Sequence, residues 1–181
     1  MEKCRLVFSG SGGQGVITAA IILAEAAVIH ENLTATQSQS YGAEARGGAT
    51  RAEVIISESE IYFPKVNQPN VLVCLTQEAY GKFFGIIRPG GLLITDSRYV
   101  SVERKVDARQ KELPMYQTVM DKIGKPIVFN ICMLGAIVAL TDTVRPESVI
   151  KTLETRIPPV FLEMNKQAFD FGLKMGSEVR D

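Results

Sequence analysis

The chain has 181 residues, 46% of them apolar and 22% charged, which is enough material for one globular core. Its 20 basic and 20 acidic residues cancel, so no net field draws it to nucleic acid or to anionic lipid. Three separated cysteines (Cys4, Cys74 and Cys132) and one histidine (His30) form no CxxC pair and supply too few ligands for an iron–sulfur cluster or a structural zinc. Small buried thiols in a reducing cytoplasm are what this spacing predicts.

Residues 1–8 lead into a glycine loop instead of a small-residue cleavage site, so no signal peptide is read and the expected compartment is cytoplasmic. Cys4–Phe8 is a short apolar run that reads as a buried strand, and the glycine turn Gly10–Gly15 follows it. A helix is predicted from about Val16 to Ile29, and Leu33–Gln37 reads as a second parallel strand completing a βαβ unit. Gln37–Gly48 has no period and is a loop. Ala49–Ser57 alternates with Ala52, Val54 and Ile56 on one face, and Ser57–Glu60 reads as a hairpin turn returning through Ile61–Pro64.

Val71–Leu75, a helix over Gln77–Ile87 stopped by Pro89-Gly90-Gly91, and Leu92–Thr95 make a second βαβ unit ending at Asp96. Ser97–Gln110 is charged and carries no clear pattern. Helices are predicted at about Met115–Ile123, Phe129–Leu140, Pro146–Thr155 and Val160–Met175. Val16–Val28 and Ile127–Leu140 are apolar nearly all round, yet shorter than the roughly 20 residues of a bilayer span. Such helices must be buried on every side, and in a domain of this size that predicts burial against another subunit. The expected fold is α/β, a Rossmann-like three-layer domain over residues 1–181 with a mostly parallel sheet and a β-hairpin insertion.

Gly10-Ser11-Gly12-Gly13-Gln14-Gly15 satisfies G-x-G-x-x-G between a strand and a helix. Glycines allow positive φ and close approach, and the free N–H groups of a helix start attract phosphate. Gln14 can present its amide from this turn. A bound dinucleotide should add an acid at the end of the second strand, but that strand ends in Gln37-Ser38-Gln39-Ser40, and Glu31 precedes it. A different phosphate-bearing ligand such as coenzyme A, or a tight turn packed on neighbouring backbone, remain the readings of this motif. Asp96 at a strand's carboxyl end lies near a ligand crevice or caps the next turn. His30 is a dipole partner at a helix end, and Phe161, Met164, Ala168, Phe171 and Met175 form a core or interface stripe.

Ser40-Tyr41-Gly42-Ala43-Glu44-Ala45-Arg46-Gly47-Gly48 sets Tyr, Glu and Arg among glycines. Arg46 offers a planar fork for phosphate or carboxylate, and Glu44 can hold it in place. Together, GSGGQGV and QSYGAEARGG closely resemble the gamma subunit of 2-oxoacid:ferredoxin oxidoreductases. Further likeness lies at Ala52-Glu53-Val54-Ile55, Tyr62-Phe63-Pro64, Pro89-Gly90-Gly91, Asn130 and Leu134-Gly135, so it covers nearly the whole chain.

The resemblance implies an accessory gamma-type domain in an oxidoreductase of anaerobic metabolism, together with alpha, beta and ferredoxin-like delta subunits. Such complexes decarboxylate a 2-oxoacid oxidatively, reduce ferredoxin and pass the acyl group to coenzyme A, or run in reverse. It places thiamine diphosphate, magnesium and [4Fe–4S] clusters in the other subunits, and no catalytic base, nucleophile or metal ligand in this one. It makes Gly10, Gly12, Gly13, Gln14, Gly15, Ser40, Tyr41, Gly42, Glu44, Arg46, Gly47 and Gly48 the candidate contacts to coenzyme A or to neighbouring subunits. Among family substrates 2-oxoglutarate is favoured, ahead of pyruvate, branched-chain 2-oxoacids and indolepyruvate. The rival reading is a free-standing Rossmann-type nucleotide-binding protein.

Overall fold

Period-two alternation in the apolar runs builds a sheet with two covered faces. The computed structural model describes residues 3–39, 49–103 and 106–180. Among them β1 (Cys4–Gly10), β2 (Thr34–Gln39), β3 (Thr50–Ser57), β4 (Val71–Cys74), β5 (Gly91–Asp96) and β6 (Ala108–Leu113) form one sheet in the order β2-β3-β1-β4-β5-β6. Leu6 and Phe8 of β1, Val71 and Val73 of β4, and Leu92 and Ile94 of β5 point into one core. Val7, Leu72, Cys74 and Leu93 point into the other.

The helices are α1 (Val16–Glu25), α2 (Gln77–Phe83), α3 (Met115–Lys122), α4 (Phe129–Thr141), α5 (Pro146–Arg156) and α6 (Pro159–Glu178). α2 covers the second core, and the remaining helices cover the first. Thr76 caps α2, its hydroxyl accepting from the Ala79 N–H at 3.1 Å. α1 runs on into a π-helical turn, Ala26–His30, which leaves Val28 and Ile29 48% and 64% exposed.

Four sequence expectations need correction. β2 does not pair with β1: β3 stands between them, antiparallel to both. The hairpin is therefore β2–β3, and Ile61–Pro64 forms no strand. The charged stretch before residue 114 contains β6, which pairs in parallel with β5. It is an edge strand, so ARQKEL can keep polar side chains in solvent and escapes an apolar pattern. Finally, α4 needs no second chain for its burial. Every residue from Phe129 to Leu140 is buried within this chain, against α1, α3, α5, α6 and the sheet.

That burial depends on how closely α4 and α6 approach. A Cβ on Gly172 would overlap the Cys132 carbonyl, one on Gly176 would lie 2.7 Å from Ala136 O, and one on Gly135 2.9 Å from Leu173 N. The tight line on α6 thus runs through Asn165, Ala168, Phe169, Gly172 and Gly176. It lies one step round from the expected stripe, whose Phe161 is 51% exposed. Gly172→Ala should lower the unfolding free energy by about 1–3 kcal/mol, since the clash is with backbone that cannot rotate away. Gly81→Ala, in open space on α2, should be neutral or stabilising by up to about 1 kcal/mol. Urea unfolding followed by circular dichroism measures both.

Candidate functional site

The glycine turn is closed from within. The Ser11 N–H donates to Gln14 Oε1 at 2.7 Å, and Gln14 Nε2 reaches Leu75 O at 3.4 Å, at the end of β4. Gln14 is therefore folded into the turn and does not present its amide outward. Gly13 and Gly15 have φ of +88° and +73°, which only glycine adopts without strain. A Cβ on Gly15 would also strike Asn130, whose Nδ2 donates to Gly15 O at 3.2 Å. Gly12 and Gly13, by contrast, face open space.

A cavity of about 300 Å³ opens on this turn. It is walled by Gly13, Gln14, Gly15 and Thr18, by Ile127, Val128 and Asn130, and by Pro158, Phe161 and Asn165. These segments are the amino-terminal ends of α1, α4 and α6. None of the three starts has a side-chain cap or an acid in its first turn, and no charged side chain lines the cavity. Three positive dipole ends therefore converge without a compensating charge among the described residues.

The opposite ends are treated differently. At the carboxyl end of α4, Arg180 donates to Ala139 O at 3.1 Å and pairs with Asp142, holding that carboxyl below its usual range. Lys111 donates to Val179 O at 2.6 Å just past α6. Asn130 and Asn165, both 7% exposed, line the cavity with their Nδ2 groups spent on Gly15 O and Phe161 O. No hydrogen bond among the described residues reaches their carbonyl oxygens. The cavity thus offers an anion three helix starts, and offers an N–H donor two acceptors between apolar walls.

The second motif adjoins it through sheet register. Ser40, Tyr41, Gly42, Glu44, Arg46, Gly47 and Gly48 lie outside the described residues, but Gly10 pairs with Thr50 and Phe8 with Ala52, which also faces Gln39. The anchors of the loop thus flank the glycine turn. Gln39 Oε1 and Arg51 Nε beside these anchors are buried, with no hydrogen-bond partner among the described residues. The dinucleotide geometry is missing. With β3 between β1 and β2, the strand that follows α1 does not lie beside β1 and cannot place an acid against a ribose there. Ile127, Pro158, Phe161 and Asn165 were not among the expected site residues, and their one sequence signal is three helix starts without Ser, Thr, Asp or Asn caps.

Asp96 is fully buried and caps the turn into α3, accepting from the Arg98 and Tyr116 N–H groups at 2.9 and 2.8 Å. Burial nevertheless raises its pKa. Among the described residues no group of three His, Cys, Asp or Glu could hold a metal, and no helix is long and apolar enough to cross a membrane. An iron–sulfur cluster does not fit here: Cys4 opens β1, Cys74 ends β4 and Cys132 lies in α4.

The chain is thus a Rossmann-like α/β unit whose cavity has no charged side chain in its lining, and among its described residues no cluster of metal-ligating side chains stands. The family model for pyruvate ferredoxin/flavodoxin oxidoreductase matches residues 5–175, and the chain belongs to that family as the gamma subunit of a 2-oxoacid:ferredoxin oxidoreductase. It is 43% identical over 173 residues to the 2-oxoglutarate synthase subunit KorC of Methanocaldococcus jannaschii, covering 94% of this chain and 92% of that one. The keto/oxoacid ferredoxin oxidoreductase gamma subunit from Geobacter sulfurreducens superposes with a TM-score of 0.88 at 40% identity, over 97% and 99% of the two chains. The same fold recurs in the 2-oxoglutarate:ferredoxin oxidoreductase from Magnetococcus marinus, with a TM-score of 0.88 at 21% identity, covering 99% of this chain and 32% of that one.

Burial pushes the Cys74 and Cys132 thiols up to about 12. At pH 8 roughly 10⁻⁴ of each is thiolate, so both should resist iodoacetamide until the chain unfolds. Labelling in native buffer and in urea, read by mass spectrometry, tests this.

Proposed function

We propose that the whole chain, residues 1–181, acts as one gamma-type domain in a complex that oxidatively decarboxylates 2-oxoglutarate to succinyl-coenzyme A while reducing ferredoxin, or runs the reverse carboxylation. In this reading the cavity at the starts of α1, α4 and α6 receives coenzyme A, and the Tyr41, Glu44 and Arg46 loop supplies further contacts to it or to neighbouring subunits. The observation that carries the reading is the convergence on one apolar-walled cavity of three helix starts that have no side-chain cap and no first-turn acid. Phosphate suits the helix starts, and amide N–H groups of a pantetheine arm suit the free oxygens of Asn130 and Asn165. Gly12 and Gly13, open to solvent, let a ligand reach the backbone.

The thiamine diphosphate, magnesium and [4Fe–4S] clusters of such a complex are assigned to alpha, beta and delta subunits, in keeping with the wide separation of Cys4, Cys74 and Cys132. The substrate assignment follows the 2-oxoglutarate synthase relatives, and pyruvate and branched-chain 2-oxoacids are the competitors to assay beside it.

Thr18 lines the cavity from the first turn of α1 and is exposed. Thr18→Glu places a carboxylate where the helix dipole favours it, so the fold should gain or keep stability while an anionic ligand is repelled. In the intact complex this variant should raise the apparent KM for coenzyme A about tenfold, with that for 2-oxoglutarate unchanged. Arg46→Ala should move the same constant in the same direction. Viologen-dye reduction under anaerobic conditions measures both. Unaltered saturation by coenzyme A in both variants would refute the assignment of the cavity.

A further inference from the structure

At the opposite end of the sheet, the amino-terminal ends of β1, β4 and β5 carry a second concave surface. A cleft of about 760 Å³ is lined by Arg5, Phe63, Lys65, Arg88 and Pro89, with two side-chain amides. A smaller cleft of about 280 Å³ shares Arg88 and adds Arg109. No Asp or Glu lines either one. These four cations make no ion pair among the described residues, whereas Arg51, Arg145, Arg156, Lys166 and Arg180 are each paired with a carboxylate. In a chain of zero net charge, an unpaired cationic surface is a local asymmetry, not a general excess.

The surface is held in shape by backbone. The Arg5 N–H donates to Asn70 Oδ1 at 2.9 Å, Asn70 N–H returns to Arg5 O at 2.8 Å, and the Arg88 N–H reaches Pro69 O at 3.1 Å. A Cβ on Gly91 would lie 2.9 Å from Arg88 O and 3.1 Å from Asn70 O, so the turn that presents Arg88 has no slack. Phe63, which lines the larger cleft, is 61% exposed, and its chain neighbour Tyr62 is 84% exposed. Two motifs that the coenzyme A site leaves unused, Tyr62-Phe63-Pro64 and Pro89-Gly90-Gly91, therefore meet on one surface.

We propose that this cleft docks an acidic segment of a companion subunit, an inference that rests on the subunit reading above. Carboxylates recognise guanidinium forks by paired hydrogen bonds, and exposed Tyr and Phe beside Arg are the side chains that anchor protein interfaces. A small polyanion is the poorer occupant. Every residue lining the larger cleft except Arg5 is exposed, so a small ligand would stay mostly wet, while small-molecule sites enclose most of their ligand.

The test compares acetylation of Lys65 by N-hydroxysuccinimidyl acetate in the isolated chain and in the complex purified anaerobically from its host, read by mass spectrometry. Lys65 should react about tenfold more slowly in the complex, and carbodiimide should couple it to an Asp or Glu of a companion subunit. The double variant Arg5→Glu, Arg88→Glu should enter the complex about tenfold less at low salt while the isolated chain keeps its circular dichroism melt. Equal Lys65 reactivity in both states overturns the proposal and leaves the subunit reading intact. Protection of Lys65 in the isolated chain by inorganic pyrophosphate overturns it in favour of a small-anion site. A chain that isolates alone from its host overturns both readings.

Discussion

Contact between α4 and α6 is the constraint on which the rest of the molecule depends. Residue numbers rise together along the two helices, from Cys132 beside Gly172 to Ala139 beside Gly176, so they run parallel. Their backbones approach until glycine is the only residue that fits at Gly135 and Gly172, a spacing at which Cα–H groups meet carbonyls directly. That approach lets α6, with the sheet and three other helices, cover an α4 that has no polar face. Fully burying one Leu or Ile side chain stabilises by about 1.5–3 kcal/mol. The gain along α4 therefore exceeds the roughly 1 kcal/mol that each glycine costs in helix propensity.

Parallel packing has an electrostatic consequence. It sets two amino-terminal ends side by side, and the start of α1 joins them at the glycine turn. At the other end, Arg180 and Lys111 answer the exposed carbonyls from within the chain. Among the described residues nothing does this for the amino-terminal ends: no acid stands in any of the three first turns. Compensating one pole of a helix pair and leaving the other bare is the asymmetry on which the proposed coenzyme A site rests. The cationic cleft at the opposite end of the strands presents the contrary device, charged side chains at a surface open to solvent. Rigid dipoles suit a ligand that must be positioned, and solvated charges suit a surface that steers and holds a partner.

Much of this was legible in the sequence, for identifiable reasons. β1, β4 and β5 announce themselves because both of their faces are buried, and α3 to α6 because Pro146, Pro158 and Pro159 punctuate the pattern. β6 was illegible because an edge strand can be polar. The burial of α4 was misassigned to another subunit because a hydropathy pattern reports that a helix is covered, not by what; the covering line runs through Gly172 and Gly176, which carry no hydropathy signal. Of the site, the glycine turn was legible and the cavity was not. Its walls come from residues more than a hundred positions away in the chain, and only folding brings Asn130 to Gly15.

The misplaced hairpin carries the most information about the site. Sequence pattern alone favours the commonest arrangement, in which a strand after a helix pairs with the strand before it. Inserting β3 between β1 and β2 removes the position where a ribose acid would stand, and with it the dinucleotide chemistry that G-x-G-x-x-G suggests. The same insertion turns residues 40–48 into the connection of the β2–β3 hairpin, with its anchors set by the Gly10–Thr50 register beside the glycine turn. A slip of one residue would send Ala52, Val54 and Ile56 to the wrong face of the sheet, so burial of these three side chains fixes that register. The glycine turn and the anchors of the second motif are thus held at one end of the sheet by the packing of residues that belong to neither motif.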